Sequence, residues 1–169
     1  MRRSRDNPPA PTPSAADVAR LVARLDAIVT DLTSIRLRVG FVGLPGDRYN
    51  TGESVAEIAA SHEYGLGVPT RPFMSIAVHE YRNQWVRVAT SEARRYVRGD
   101  VAASHVVRRI GIAMVAGVKA AINSNIQPPN SPERIEEKRS SRTLIDTGVM
   151  LNSVRAAVDV PGHPSEIIG

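Results

Sequence analysis

Between Met74 and Ala121 a helical periodicity runs twice and is interrupted once, and this pattern constrains the fold more than any other feature of the chain. Val78, Tyr81, Trp85, Ala89, Ala93 and Tyr96 recur at steps of three and four, which puts them on one face of a helix over about 74–97. Val107, Ile110, Met114, Val118 and Ala121 repeat the same stepping. Gly99-Asp100 separates the two, and glycine readily takes the left-handed conformation that ends a helix. The reading is an α-hairpin, two antiparallel helices around Gly99, with Asp100 or Ser104 as the expected cap of the second. Gly111, Gly117 and the neighbouring alanines would let the two helices approach closely.

The flanks add smaller elements. Val18, Leu21, Val22, Leu25, Ile28, Val29 and Leu32 give an amphipathic helix over about 15–32, with Ser14 as N-cap and Asp17 in the first turn. Ile35, Leu37, Val39 and Phe41 then alternate with Arg36, Arg38 and Gly40, the period of a half-buried strand. The stretch 43–52 is rich in turn formers and reads as a loop. Ser54 and Glu57 have the spacing of a capping box, which opens a short helix to about Tyr64, ended by Gly65. Pro69 and Pro72 mark a loop. Ser131-Pro132 starts a short helix through Lys138, Asp146 is the expected cap of another over 147–153, and Val154, Ala156 and Val158 suggest a closing strand. The fold class is therefore α+β, a small antiparallel sheet packed with an N-terminal helix and a long α-hairpin. Residues 1–13 are expected to be a disordered arm rich in Arg and Pro, 14–160 one domain, and 161–169 a loose tail.

Composition narrows the function classes. The chain has 169 residues, enough to bury one core, and only 4% are aromatic, so that core must be aliphatic. The absence of cysteine excludes disulfides, thiolate metal sites and cysteine nucleophiles. The net charge of +5 is carried mostly by arginine and fits an ordinary Arg-biased solvated surface first, or contact with nucleic acid or an acidic partner. The longest apolar run, 110–118, is too short to cross a membrane as a helix, and no apolar stretch directly follows Arg2, Arg3 and Arg5 as a signal peptide would require.

The motifs that would carry chemistry are incomplete in this chain. A zinc-protease helix needs a second His four residues after a His-Glu pair, but Leu66 follows His62 and Asn83 follows His79 at that distance. The glycines around 43–54 lack the lysine of a phosphate-binding loop. Gly52-Glu53-Ser54 lacks the final glycine of a nucleophile elbow. Glu53, Glu57 and Glu63 could pair as acid and base, yet Glu57 has a capping role to fill. No metal, no cofactor and no catalysis are expected. Arg87, Arg94 and Arg98 share a helix face, with Arg108 and Arg109 on the next helix, and could contact phosphates or pair with groups such as Glu92.

Two segments are more specific. One is Ala59-Ala-Ser-His-Glu-Tyr-Gly65 followed by Pro69-Thr-Arg-Pro-Phe73. The other is Pro128-Pro-Asn-Ser-Pro132, then Lys138, Thr143-Leu-Ile-Asp-Thr-Gly148 and Leu151-Asn-Ser153. In this order, with a helical hairpin between them, they resemble the phage virion morphogenesis family, the neck or tail-completion proteins of long-tailed bacteriophages, over about residues 35–158. The resemblance singles out His62, Glu63, Tyr64, Gly65, Pro69, Arg71, Pro72, Phe73, Pro128, Pro129, Lys138, Leu144, Asp146, Thr147 and Gly148 as fold and interface residues.

The resemblance implies a structural virion protein at the head–tail junction, made in the host cytoplasm and assembled as a homo-oligomeric, sixfold ring. Its partners would be the head-closure or connector protein and the tail tube or terminator protein. Arg2, Arg3, Arg5, Arg94 and Arg98 are the candidates for contact with a partner or with DNA in the channel, and no membrane is involved. The competing reading is a basic nucleic-acid-binding protein acting in packaging or regulation.

Overall fold

A computed structural model describes residues 14–42, 48–49, 52–138, 141–145 and 148–169. The chain forms two units, 1–33 and 34–169, a division that falls inside the stretch 14–160 read above as one domain. The first holds most of α1 (Ala15–Ser34). Ser14 and Asp17 close its start reciprocally. The Ser14 Oγ accepts from the Asp17 amide at 3.2 Å, and the Asp17 carboxylate accepts from the Ser14 amide at 3.1 Å and hydroxyl at 2.6 Å. These bonds hold the Asp17 carboxyl below its usual pKa. The predicted apolar stripe is present, but α1 buries none of its residues.

The second unit is α+β: β1 (Arg36–Gly40), α2 (Val55–Tyr64), α3 (Phe73–Arg98), α4 (Ala103–Asn123), α5 (Pro132–Lys138), α6 (Val149–Asn152), β2 (Arg155–Asp159) and β3 (Glu166–Ile168). The sheet is antiparallel in the order β1-β2-β3, with Leu37 opposite Val158 and Ala156 opposite Ile168. Helices α3 and α4 form the expected hairpin, and Gly99 ends α3 at φ 85°.

Helix α4 lies between α3 and the sheet, and its two glycines serve different neighbours. A Cβ on Gly117 would sit 2.8 Å from the Trp85 ring of α3, whose indole Nε1–H donates to the Ala113 carbonyl at 3.1 Å. A Cβ on Gly111 would meet Leu37 at 3.1 Å and Ala156 at 3.2 Å. Gly117 therefore serves helix–helix approach, while Gly111 serves helix–sheet approach. The core is aliphatic around Phe73, with Val55, Ile122 and Val154 fully buried.

Several local expectations are corrected. Residues 161–169 are not a loose tail, because Glu166–Ile168 pairs with β2 and Arg108 of α4 forms an ion pair with Glu166. Ser54 is the N-cap of α2, but its side chain makes no capping bond and the box with Glu57 does not form. Ser54 is instead bridged to Arg48 across a tight turn closed by the Tyr49 amide on the Glu53 carbonyl at 3.0 Å. Neither Asp100 nor Ser104 caps α4; Ala102 holds that position. The helix begins three residues beyond Asp100, which accepts from Arg98 Nε at 3.1 Å. The Asp146 cap lies outside the described residues, while α6 opens on Gly148 at φ 78°.

Candidate functional site

Glu63, Gly65, Arg71 and Pro128, four of the residues singled out above, meet where α2, the start of α3 and the loop after α4 come together. Helix α2 ends at Tyr64, and Gly65 turns the chain at φ 73° against Thr70, where a Cβ would collide with the Thr70 side chain. The turn brings Glu63 to the start of α3. Its carboxylate accepts from the Met74 amide at 2.9 Å, the Ser75 amide at 3.1 Å and the Ser75 hydroxyl at 2.7 Å. Pro72 immediately precedes α3 and has no N–H or capping side chain, so a carboxylate from α2 supplies the cap and complements the helix dipole. The Arg71 amide donates to the His62 carbonyl at 2.7 Å and closes the loop.

Arg71 ties the two segments together. Its side chain is 4% exposed, and Nε and Nη2 donate to the Pro128 carbonyl at 3.1 and 2.9 Å. Nη2 also donates to the Asn130 Oδ1 at 3.2 Å, and Asn130 Nδ2 donates onward to the Arg142 carbonyl at 3.0 Å. The Thr143 amide donates to Asn125 Oδ1 at 3.1 Å, which fixes the start of the segment containing buried Leu144. Among the described residues no carboxylate pairs with Arg71. Burial lowers its pKa from the usual value, and a guanidinium remains charged at neutral pH. A planar guanidinium suits this role because it serves several acceptors at once.

The same segments also present surface. Tyr64 is 73% exposed, and Leu66, Val68, Pro69, Pro128 and Pro129 are exposed beside it in sequence or across the Arg71 bridge. Phe73 is buried and meets Phe41 edge-to-face at 5.9 Å, while Pro72 is half-buried. Lys138 closes α5. Asp146, Thr147, Arg2, Arg3 and Arg5 lie outside the described residues.

The hairpin arginines divide into paired and unpaired. Glu92 is buried, with the more exposed Arg95 at 2.9 Å, His105 at 3.7 Å and Arg109 at 3.9 Å, so a buried carboxylate joins basic groups of both helices. Arg98 pairs with Asp100. Among the described residues Arg87 and Arg94 have no carboxylate partner, and both line a surface depression of about 470 Å³ with Thr90, Ser91 and Arg98. No group of His, Asp and Glu among the described residues is placed to hold a metal ion, and no described helix is long and apolar enough to cross a membrane.

Comparison with protein-family models, with curated proteins and with solved structures finds no match for this chain.

Proposed function

We propose that this chain is a structural subunit of a tailed bacteriophage particle, assembling as a ring at the head–tail junction and completing the tail for docking to the capsid connector. The observation that carries the reading is the Arg71 bridge. Both resemblance-bearing segments, 57 positions apart at Arg71 and Pro128, meet in one braced framework. Glu63 caps a helix, Gly65 makes a turn and Arg71 braces two loops, so the described motif residues do structural work. The braced loops display Tyr64, Leu66 and Val68 to solvent, and pre-ordered apolar loops lose little entropy when a neighbour covers them. Ring neighbours, the head-closure or connector protein and the tail tube or terminator are the partners this reading assigns.

The test is electron microscopy of lysates from phage carrying an early stop codon in this gene. Filled heads beside detached or misterminated tails, rescued by the protein supplied in trans, are expected. Normal tailed and infectious particles would refute the reading. The unpaired Arg87 and Arg94 favour a second reading, a protein that holds nucleic-acid backbone. Affinity for short duplexes that falls steeply with salt would support it, and indifference to DNA would leave the ring.

A further inference from the structure

The apolar stripe of α1 repeats every seven residues. Val18, Leu25 and Leu32 fall at one heptad position, Leu21 and Ile28 at a second, and Val22 and Val29 at a third. Written as a heptad, these are a, d and e, the face of a helix that packs against another helix. Ile28 and Leu32 are half-buried, while Val18, Leu21, Val22, Leu25 and Val29 are 48 to 59% exposed. The flanking g positions are Asp17, Arg24 and Asp31, alternating in sign.

We infer that α1 is a self-association helix that pairs antiparallel with α1 of a second copy of this chain. The charges select both direction and register. In a parallel pair each g residue would face an e residue of the partner, and the e residues are valines, so no charge would be matched. In an antiparallel pair g faces g. Opposing Leu25 with Ile28 and Leu21 with Leu32 gives four apolar layers, sets Val22 beside Val29, and brings Arg24 opposite Asp31 twice through the two-fold. Shifting the register by one heptad would set Arg24 against Arg24 and Asp17 against Asp31, which is repulsive at every g contact. A shift of two heptads would again match charges, Asp17 with Arg24, but over two apolar layers only, so the pair combines matched charges with four apolar layers in one register. Two-fold pairing is isologous and cannot join neighbours within a polar ring. It therefore belongs to the protein in solution, or to contact between rings, and it stands or falls separately from the head–tail reading.

The test is sedimentation of the full chain over a range of concentrations. The wild type should show a reversible monomer–dimer step, since a seam of about two heptads is short for a coiled coil. Arg24→Asp or Asp31→Arg alone converts two attractions into two repulsions and should weaken the dimer about tenfold. The double swap, Arg24→Asp with Asp31→Arg, should restore it to within about threefold of wild type. Leu25→Glu should abolish the dimer with the thermal unfolding of the second unit unchanged. A monomer at every concentration would overturn the pairing. So would an oligomer of any size that ignores both single reversals, and a sixfold oligomer of that kind would leave the proposed function intact.

Discussion

Helices α1 and α4 are nearly the same length, 20 and 21 residues, and both carry an apolar stripe at helical spacing, yet α4 buries eight residues and α1 buries none. The difference lies in what surrounds each stripe. Helix α4 has Gly111 where the sheet arrives and Gly117 where Trp85 arrives, so two neighbours reach its backbone within van der Waals distance. Helix α1 has no glycine, and charged residues punctuate its length at Asp17, Arg20, Arg24, Asp26 and Asp31. Its start is closed by its own Ser14–Asp17 box, a purely local device. Amphipathic spacing specifies a helix with a face to bury; it does not specify whether this chain or another molecule buries it.

The contrast is sharpest in the core. Ile122→Ala in α4 should cost about 3 kcal/mol, because the side chain is 1% exposed and its removal leaves a cavity. Leu25→Ala in α1 should change the unfolding free energy, measured by denaturant titration, by less than about 0.5 kcal/mol. Equal losses at the two positions would erase the distinction between the helices. Gly117→Val should cost about 2 kcal/mol by driving atoms into the Trp85 ring, read as a fall in thermal midpoint.

The brace between the motif loops ranks beside these. Arg71→Met should destabilise the second unit by about 2 kcal/mol, because it leaves the part-buried Pro128 carbonyl and the buried Asn130 Oδ1 without their donor. Arg71→Lys should not restore it, since an ammonium lacks the planar fork. Glu63→Gln should cost about 1 kcal/mol by weakening the cap of α3, seen as faster amide exchange over 73–76 with α1 unaffected.

The smallest expected effect is acid-dependent. Hydrogen bonds from Arg38 first, and then Ser165, hold the Asp159 carboxyl below its ordinary value of 3.8, with the charges of Arg38 and Arg36 adding to the effect. Its folded pKa is depressed, so its contribution is present above that ordinary value and is lost as pH falls through the lowered folded value. The stability difference between wild type and Asp159→Asn should therefore be seen at neutral pH and vanish in acid. A difference that persists undiminished in acid would assign the effect to packing.

What could be read from the sequence follows the range of the interactions. The hairpin, the Gly99 and Gly65 turns, β1, β2 and the Ser14 cap rest on contacts within a few residues or on a repeating period, and all are present. Strand β3 is three residues long, too short to show alternation, and it is a strand only because β2 lies beside it. The Ser54–Glu57 spacing is sufficient for a capping box, and Ser54 has the extended backbone of an N-cap, but its side chain makes no capping bond. The site shows the same limit. Glu63 and Arg71 stand out in the motif, but their partners lie 11 and 57 positions away, and only the fold pairs Glu63 with Met74 or Arg71 with Pro128. Burial of Glu92 was likewise hidden, because an acid among arginines has the local pattern of a solvated surface.

Trp85 is the chain's one tryptophan, and it is seated against Gly117 with its indole bonded to Ala113. The protein thus carries an intrinsic fluorophore that reports on the hairpin interior. Emission should begin blue-shifted and move to the red when α3 and α4 separate. Pairing or fraying at α1 should leave the emission maximum where it was, so one spectrum reads the folded body while sedimentation reads assembly.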